Sequence, residues 1–229
     1  MSEKETWTTS RETNQHLNDR LLTAQTVSLS VLLFVAAPLQ ANGFFTLPLF
    51  GLLFGFVLIP GVFMVWGNRV AVVLILVAIA LVVVAAGMGA RQPSTIDMLL
   101  DDIAWLIAGL TLGVVVARAV FAPGKVTFHR VVGGALLYLA IGLIFVGLIG
   151  GVVLLDPNAF TNLQPLQQEN YPKYIYYSFS TLSTTGYGDI VPVHPYARGL
   201  ANIEQIVGQL FPATLLARLV TLELESRHF

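Results

Sequence analysis

The chain has 229 residues, of which 55% are hydrophobic and only 11% charged, and its mean hydropathy is +0.76, a balance far outside that of soluble globular proteins. Twelve Lys and Arg against thirteen Asp and Glu leave a net charge of −1, so there is no basic footprint for nucleic acid. The absence of cysteine excludes disulfides, thiolate metal sites and cysteine nucleophiles, and the composition is that of an integral membrane protein.

Residues 1–20 are polar and mix acids with bases, without the basic start, apolar middle and small-residue end of a cleaved signal peptide. They read as a soluble tail. A bilayer core of roughly 30 Å needs about 20 apolar helical residues, and six such runs follow, at about 21–38, 44–66, 70–90, 98–121, 129–155 and 197–222. Thr23, Gln25, Thr26, Ser28 and Ser30 interrupt the first, but hydroxyls bond within a helix or across a helix interface. Pro48 and Pro60 are expected to bend the second. Asp97, Asp101 and Asp102 open the fourth, where acids suit the positive end of the helix dipole, and read as a capped, solvated helix start. Arg118 is its one base, so it lacks the regularly spaced Arg or Lys of a voltage-sensing helix. Between the fifth and sixth runs, about 173–184 is too short to span and fits a re-entrant helix buried in protein. In the sixth, Glu204 is an isolated ionisable group, expected to face the back of that re-entrant helix and to be satisfied by Ser180, Thr181 or Ser183.

Basic residues concentrate on the cytoplasmic side of membrane proteins. With a cytoplasmic amino terminus, Lys4, Arg11, Arg20, Arg69, Arg118, Lys125, Arg130, Arg218 and Arg227 lie inside, against Arg91, Lys173 and Arg198 outside. Both termini are therefore expected in the cytoplasm, with the 184–189 loop facing outward. His16, His129, His194 and His228 have no metal-ligand spacing and no Ser or Asp constellation beside them, so enzymatic activity finds no support.

Residues 184–189 read Thr-Thr-Gly-Tyr-Gly-Asp. A dehydrated potassium ion needs a cage of oxygens, which a run of inward-turned backbone carbonyls supplies. Gly186 and Gly188 permit the positive φ that turns successive carbonyls to the same side instead of alternating them as a strand does. The hexapeptide, set between a short aromatic helix and a long apolar one, resembles the signature of the tetrameric pore-loop potassium channels, in a six-helix, bacterial-type layout without a cytoplasmic regulatory domain. That family's filter is also the standard illustration of carbonyl selectivity. The resemblance is specific over the last hundred or so residues and rests on helix count alone before them.

It implies an all-α integral membrane fold: six transmembrane helices with a re-entrant pore helix and selectivity filter between helices 5 and 6. The expected division is a cytoplasmic tail at 1–20, a four-helix membrane domain lacking a charged voltage-sensor helix at 21–121, and a pore domain at 122–229 (outer helix, pore helix, filter, inner helix). Carbonyls of Thr184, Thr185, Gly186 and Tyr187 would coordinate potassium, with the Thr184 hydroxyl as the innermost ring; the family commonly has Val where this chain has Thr185. Gly188 and Asp189 would support the filter, Tyr176 reaching Asp189 and Tyr177 packing near Tyr187 of a neighbouring copy; an interfacial aromatic belt is the alternative for the tyrosines. Gly208 stands at the family's hinge spacing with Pro212 one turn on, and close packing of Gly208 against the pore helix is the competing reading. The resemblance further implies a potassium-selective channel subunit of the cell membrane, a homotetramer among membrane lipids, with no cofactor and K+ as the transported ion. The alternatives are a weakly selective cation channel and a non-conducting regulatory subunit of the same fold.

Overall fold

The computed structural model describes residues 20–44, 46–64, 68–89, 95–121, 128–163 and 170–227. The expected tail at 1–20 falls outside these apart from Arg20, as do Arg91 and Lys125 of the orienting charges. Seven helices follow in order: α1 (Arg20–Ala41), α2 (Leu47–Met64), α3 (Arg69–Gly89), α4 (Thr95–Val120), α5 (Phe128–Leu155), α6 (Asn170–Leu182) and α7 (Pro195–Arg227). Among the described residues the β structure is a single bridge, Phe160 to Pro192.

Two hydroxyls of α1 are absorbed within the helix itself. Thr26 Oγ1 donates to the Leu22 carbonyl and Ser30 Oγ to the Thr26 carbonyl, both at 2.8 Å, so the hydroxyls stay inside the helix. Its π turn at Leu32–Ala36 lies just before Pro38, whose ring would clash with the carbonyl four residues back in a regular α-helix. Pro48 is only the second residue of α2, where a missing N–H costs nothing, and Pro60 is the proline inside the helix.

α2, α3, α4 and α5 pack in sequence, with the most extensive contact between α4 and α5. Phe50, Phe54, Leu58, Ile75, Leu112 and Leu143 fill the interior, and the Phe54 ring stacks on Trp105 at 4.0 Å. The opposite face of α3 leaves Val70, Val73, Leu76, Val77 and Val83 exposed, a surface suited to hydrocarbon. α6 is wedged between α5 and α7 and also meets α1, where Phe34 touches Phe179 edge to face at 5.1 Å.

Among the described residues, α1, α3, α4 and α5 are long and apolar enough to cross a membrane. The other two predicted spans differ from these. The apolar stretch of α2 is shorter, Pro48–Phe63, while α7 has 33 residues but interleaves Asn202, Glu204, Gln205 and Gln209 with its apolar positions, which suits contact with protein or water along one side rather than lipid all round.

Candidate functional site

α6 is a 13-residue helix that opens with Pro172 in its first turn, a position where proline is favoured because its N–H would be unpaired anyway. Its carboxyl end is closed by a Schellman arrangement. Thr184 N–H donates to the Thr181 carbonyl and Thr185 N–H to the Ser180 carbonyl, each at 2.9 Å, with Thr184 left-handed at φ +58. Glycine normally fills that position; a β-branched residue there is strained by about 1–3 kcal/mol. The Ser180 carbonyl also accepts Gly186 N–H at 3.2 Å, which folds the loop back over the helix end.

Gly186 and Gly188 are at φ +56 and +82, and Thr185 and Tyr187 between them are not positive. The sign of φ thus alternates from Thr184 to Gly188. Behind the loop, Ser183 Oγ donates to the Phe179 carbonyl at 2.6 Å and lies 2.9 Å from Thr185 Oγ1. Ser183 has spent its one hydroxyl hydrogen, so Thr185 is the donor between them. On the outer side, Tyr176 stacks on Tyr187 at 6.0 Å and its hydroxyl sits beside the Asp189 carboxylate, the pairing expected from sequence. Tyr177, expected to pack near Tyr187 of a neighbouring copy, is buried within this chain, its ring edge-to-face on Phe160 at 5.1 Å.

The segment after the loop is pinned to the one after α5. Asn162 Nδ2 donates to the Asp189 carbonyl at 2.7 Å, Val191 N–H to Thr161 Oγ1 at 2.8 Å, and Val193 N–H to the Ala159 carbonyl at 2.9 Å. Both ends of 184–189 are therefore held, while the stretch itself is exposed in the single chain, Tyr187 to 72%. Beside it an open cleft of about 1070 Å³ is lined by Leu33, Phe34, Tyr176, Phe179, Thr185 and Tyr187.

On the inner side, α7 supports α6 at two points. Glu204 is fully buried and accepts a hydrogen bond from Ser178 Oγ at 2.6 Å; Ser178 also lies 3.2 Å from the Gly142 carbonyl of α5. The partner is thus Ser178, two to five residues before the expected Ser180, Thr181 or Ser183, because Ser178 is the hydroxyl on the face turned to α5 and α7. Four residues on, Gly208 meets the Leu182 carbonyl so closely that a Cβ would overlap it. This close approach of the two backbones requires glycine here. Pro212, inside α7, is exposed.

Residues 135–224 match the family model described as "Ion channel". No curated protein and no solved structure gives a significant match. The matched stretch begins within α5, takes in α6 and the 184–189 loop, and ends in α7. Together with the four membrane-capable helices, it supports a passive ion channel held in a membrane. Among the described residues, no group of three or more His, Asp or Glu side chains is placed to hold a metal ion; the oxygens concentrated at the end of α6 are backbone carbonyls and hydroxyls.

Within the ion channel segment and at its border, three partners escaped the sequence reading. Ser178 and the Ser183–Thr185 hydroxyl pair carry no signal beyond being hydroxyls on a short helix. The third is Asp102, expected to be solvated at the start of α4. It is instead 3% exposed, 3.3 Å from the Tyr171 hydroxyl of α6, because α4 begins at Thr95 and its second turn is already enclosed by α5 and α6.

Proposed function

We propose that the chain is a subunit of a homotetrameric, potassium-selective channel of the cell membrane, which conducts K+ passively through a pore on the four-fold axis. The observation that carries this reading is the alternating sign of φ across Thr184, Thr185, Gly186, Tyr187 and Gly188. Such alternation turns successive carbonyls toward one side, and four copies around an axis then enclose a column of oxygen cages the size of a dehydrated ion. One chain has a single such loop and no internal repeat, so closing the column takes cyclic assembly.

In this reading Thr184, Thr185, Gly186 and Tyr187 coordinate the ion, and Gly188, Asp189, Tyr176 and Tyr177 support the loop. α6 is the pore helix, its carboxyl end directed at the axis, where its partial negative charge favours a cation. Glu204 braces it from α7, and Gly208 with Pro212 shapes the lower half of that helix for gating. α7 completes six spans, its polar positions facing the pore or a neighbouring subunit rather than lipid. Residues 21–121 form a membrane domain without a charged sensor, and both termini are cytoplasmic.

Purified protein in liposomes tests the reading. It should run as a tetramer and take up K+ or Rb+ down a gradient, with barium blocking because it matches potassium in size and binds more tightly. Equal Na+ and K+ uptake contradicts selectivity, and absence of uptake by the intact tetramer favours the regulatory-subunit alternative.

A further inference from the structure

Asp102 lies in α4, outside the segment that matches the ion channel family, yet its carboxylate is buried against that segment. The Tyr171 hydroxyl of α6 is 3.3 Å from Asp102 Oδ1 and 3.2 Å from the Met98 carbonyl, so both acceptors come from consecutive turns of α4. The Tyr171 ring stacks on Trp105 of α4 at 6.1 Å and meets Tyr174 edge to face at 5.6 Å. Phe54 of α2 stacks on Trp105 as well. α5 makes room for the carboxylate: a Cβ on Gly150 would overlap the Asp102 carboxyl group, and one on Gly147 would come within 2.7 Å of the Asp102 backbone carbonyl.

We infer that the first four helices hold the proposed filter in its conducting geometry through Asp102, a positioning residue that fixes the Tyr171 hydroxyl at the start of the pore helix. The inference rests on the channel reading above and supplies a role for the domain that lacks a voltage sensor. A 13-residue helix is a rod of about 20 Å. Its carboxyl end is the Schellman turn from which 184–189 departs, so a shift or tilt at Tyr171 is delivered to Thr184 with little loss. Burying a carboxylate within a span is expensive, and an apolar side chain of similar volume fills such a place at lower cost. What the acid adds here is an acceptor aimed at one hydroxyl.

The test uses the full chain reconstituted in liposomes, comparing Tyr171→Phe, Asp102→Asn, Asp102→Leu and the Tyr171→Phe/Asp102→Leu pair, with assembly and thermal midpoint measured on each. Tyr171→Phe keeps the ring and its stacking and removes only the hydroxyl; it should lower K+ flux or K+ over Na+ preference about fivefold, the scale of one hydrogen bond, with the tetramer intact. Asp102→Asn retains an acceptor oxygen and should stay within about twofold of wild type. Asp102→Leu should match Tyr171→Phe, and the double variant should be no worse than either single one. Wild-type permeation by Tyr171→Phe, multiplying losses in the double variant, or failure of Asp102→Asn to rescue each overturns the inference. If Asp102→Leu does not assemble, Tyr171→Phe and Asp102→Asn decide alone. A wild-type tetramer without K+ flux overturns the channel reading as well, whereas wild-type flux with an indifferent Tyr171→Phe overturns only this coupling.

Discussion

Thr184 occupies the left-handed position of the turn that ends α6, and that choice of residue separates what is legible at the residue scale from what is not. Positive φ at Gly186 and Gly188 is readable in advance because glycine alone takes that conformation freely. Positive φ at Thr184 is not, since it is imposed by the turn and by both anchored ends of the loop. Gly186→Ala should cost about 1–2 kcal/mol in each subunit from the Cβ clash at positive φ and abolish selective Rb+ uptake while the helices remain folded by circular dichroism. Thr185→Val removes the hydroxyl that donates to Ser183 and keeps the β-branched volume. It should lower stability by about 1 kcal/mol per subunit, seen as a lower thermal midpoint, with K+ preference retained. A Val variant that loses preference would mean that the Thr185 hydroxyl, and not its carbonyl, is the group that matters.

At the scale of elements, apolar runs announced six of the helices and the short segment between the last two runs announced α6, but boundaries moved by two or three residues: α6 begins at Asn170, and α7 at Pro195. Glu204 was legible as a candidate brace because it is the one ionisable group between Arg198 and Arg218 of its helix. Its partner was not, because the face of α6 turned to α7 depends on packing with α5. Glu204→Gln should keep the Ser178 contact and most of the flux, whereas Glu204→Leu leaves Ser178 without that acceptor and should destabilise the tetramer by about 1–3 kcal/mol per subunit; unchanged midpoint and current for Leu would remove the bracing role. Gly208→Ala places a methyl on the Leu182 carbonyl and should push α7 from α6, with a loss of about 1–3 kcal/mol per subunit, read in the same melts. α4 offers little for voltage sensing. Each charge crossing the whole field contributes about 2.3 kcal/mol per 100 mV, and the base in α4 is Arg118 in its last turn. Opening should therefore be shallow in planar-bilayer current families, and a steep curve lost in Arg118→Gln would contradict that.

For the whole molecule, membrane residence followed from composition alone, while the proposed pore would be a property of several chains. The exposed Thr184–Asp189 stretch and the cleft beside it are what a single subunit of the proposed tetramer would present. Sequence pattern could not show how the first four helices meet the rest, because the Asp102–Tyr171 contact joins residues far apart in the chain and neither carries a local motif. The central claim is selectivity at Thr184–Tyr187, and the most direct measurement is the reversal potential of purified channels in planar bilayers with K+ on one side and Na+ on the other. The account predicts a reversal displaced strongly toward the potassium equilibrium potential, and lost in Gly186→Ala; a wild-type reversal near zero under these conditions would contradict it.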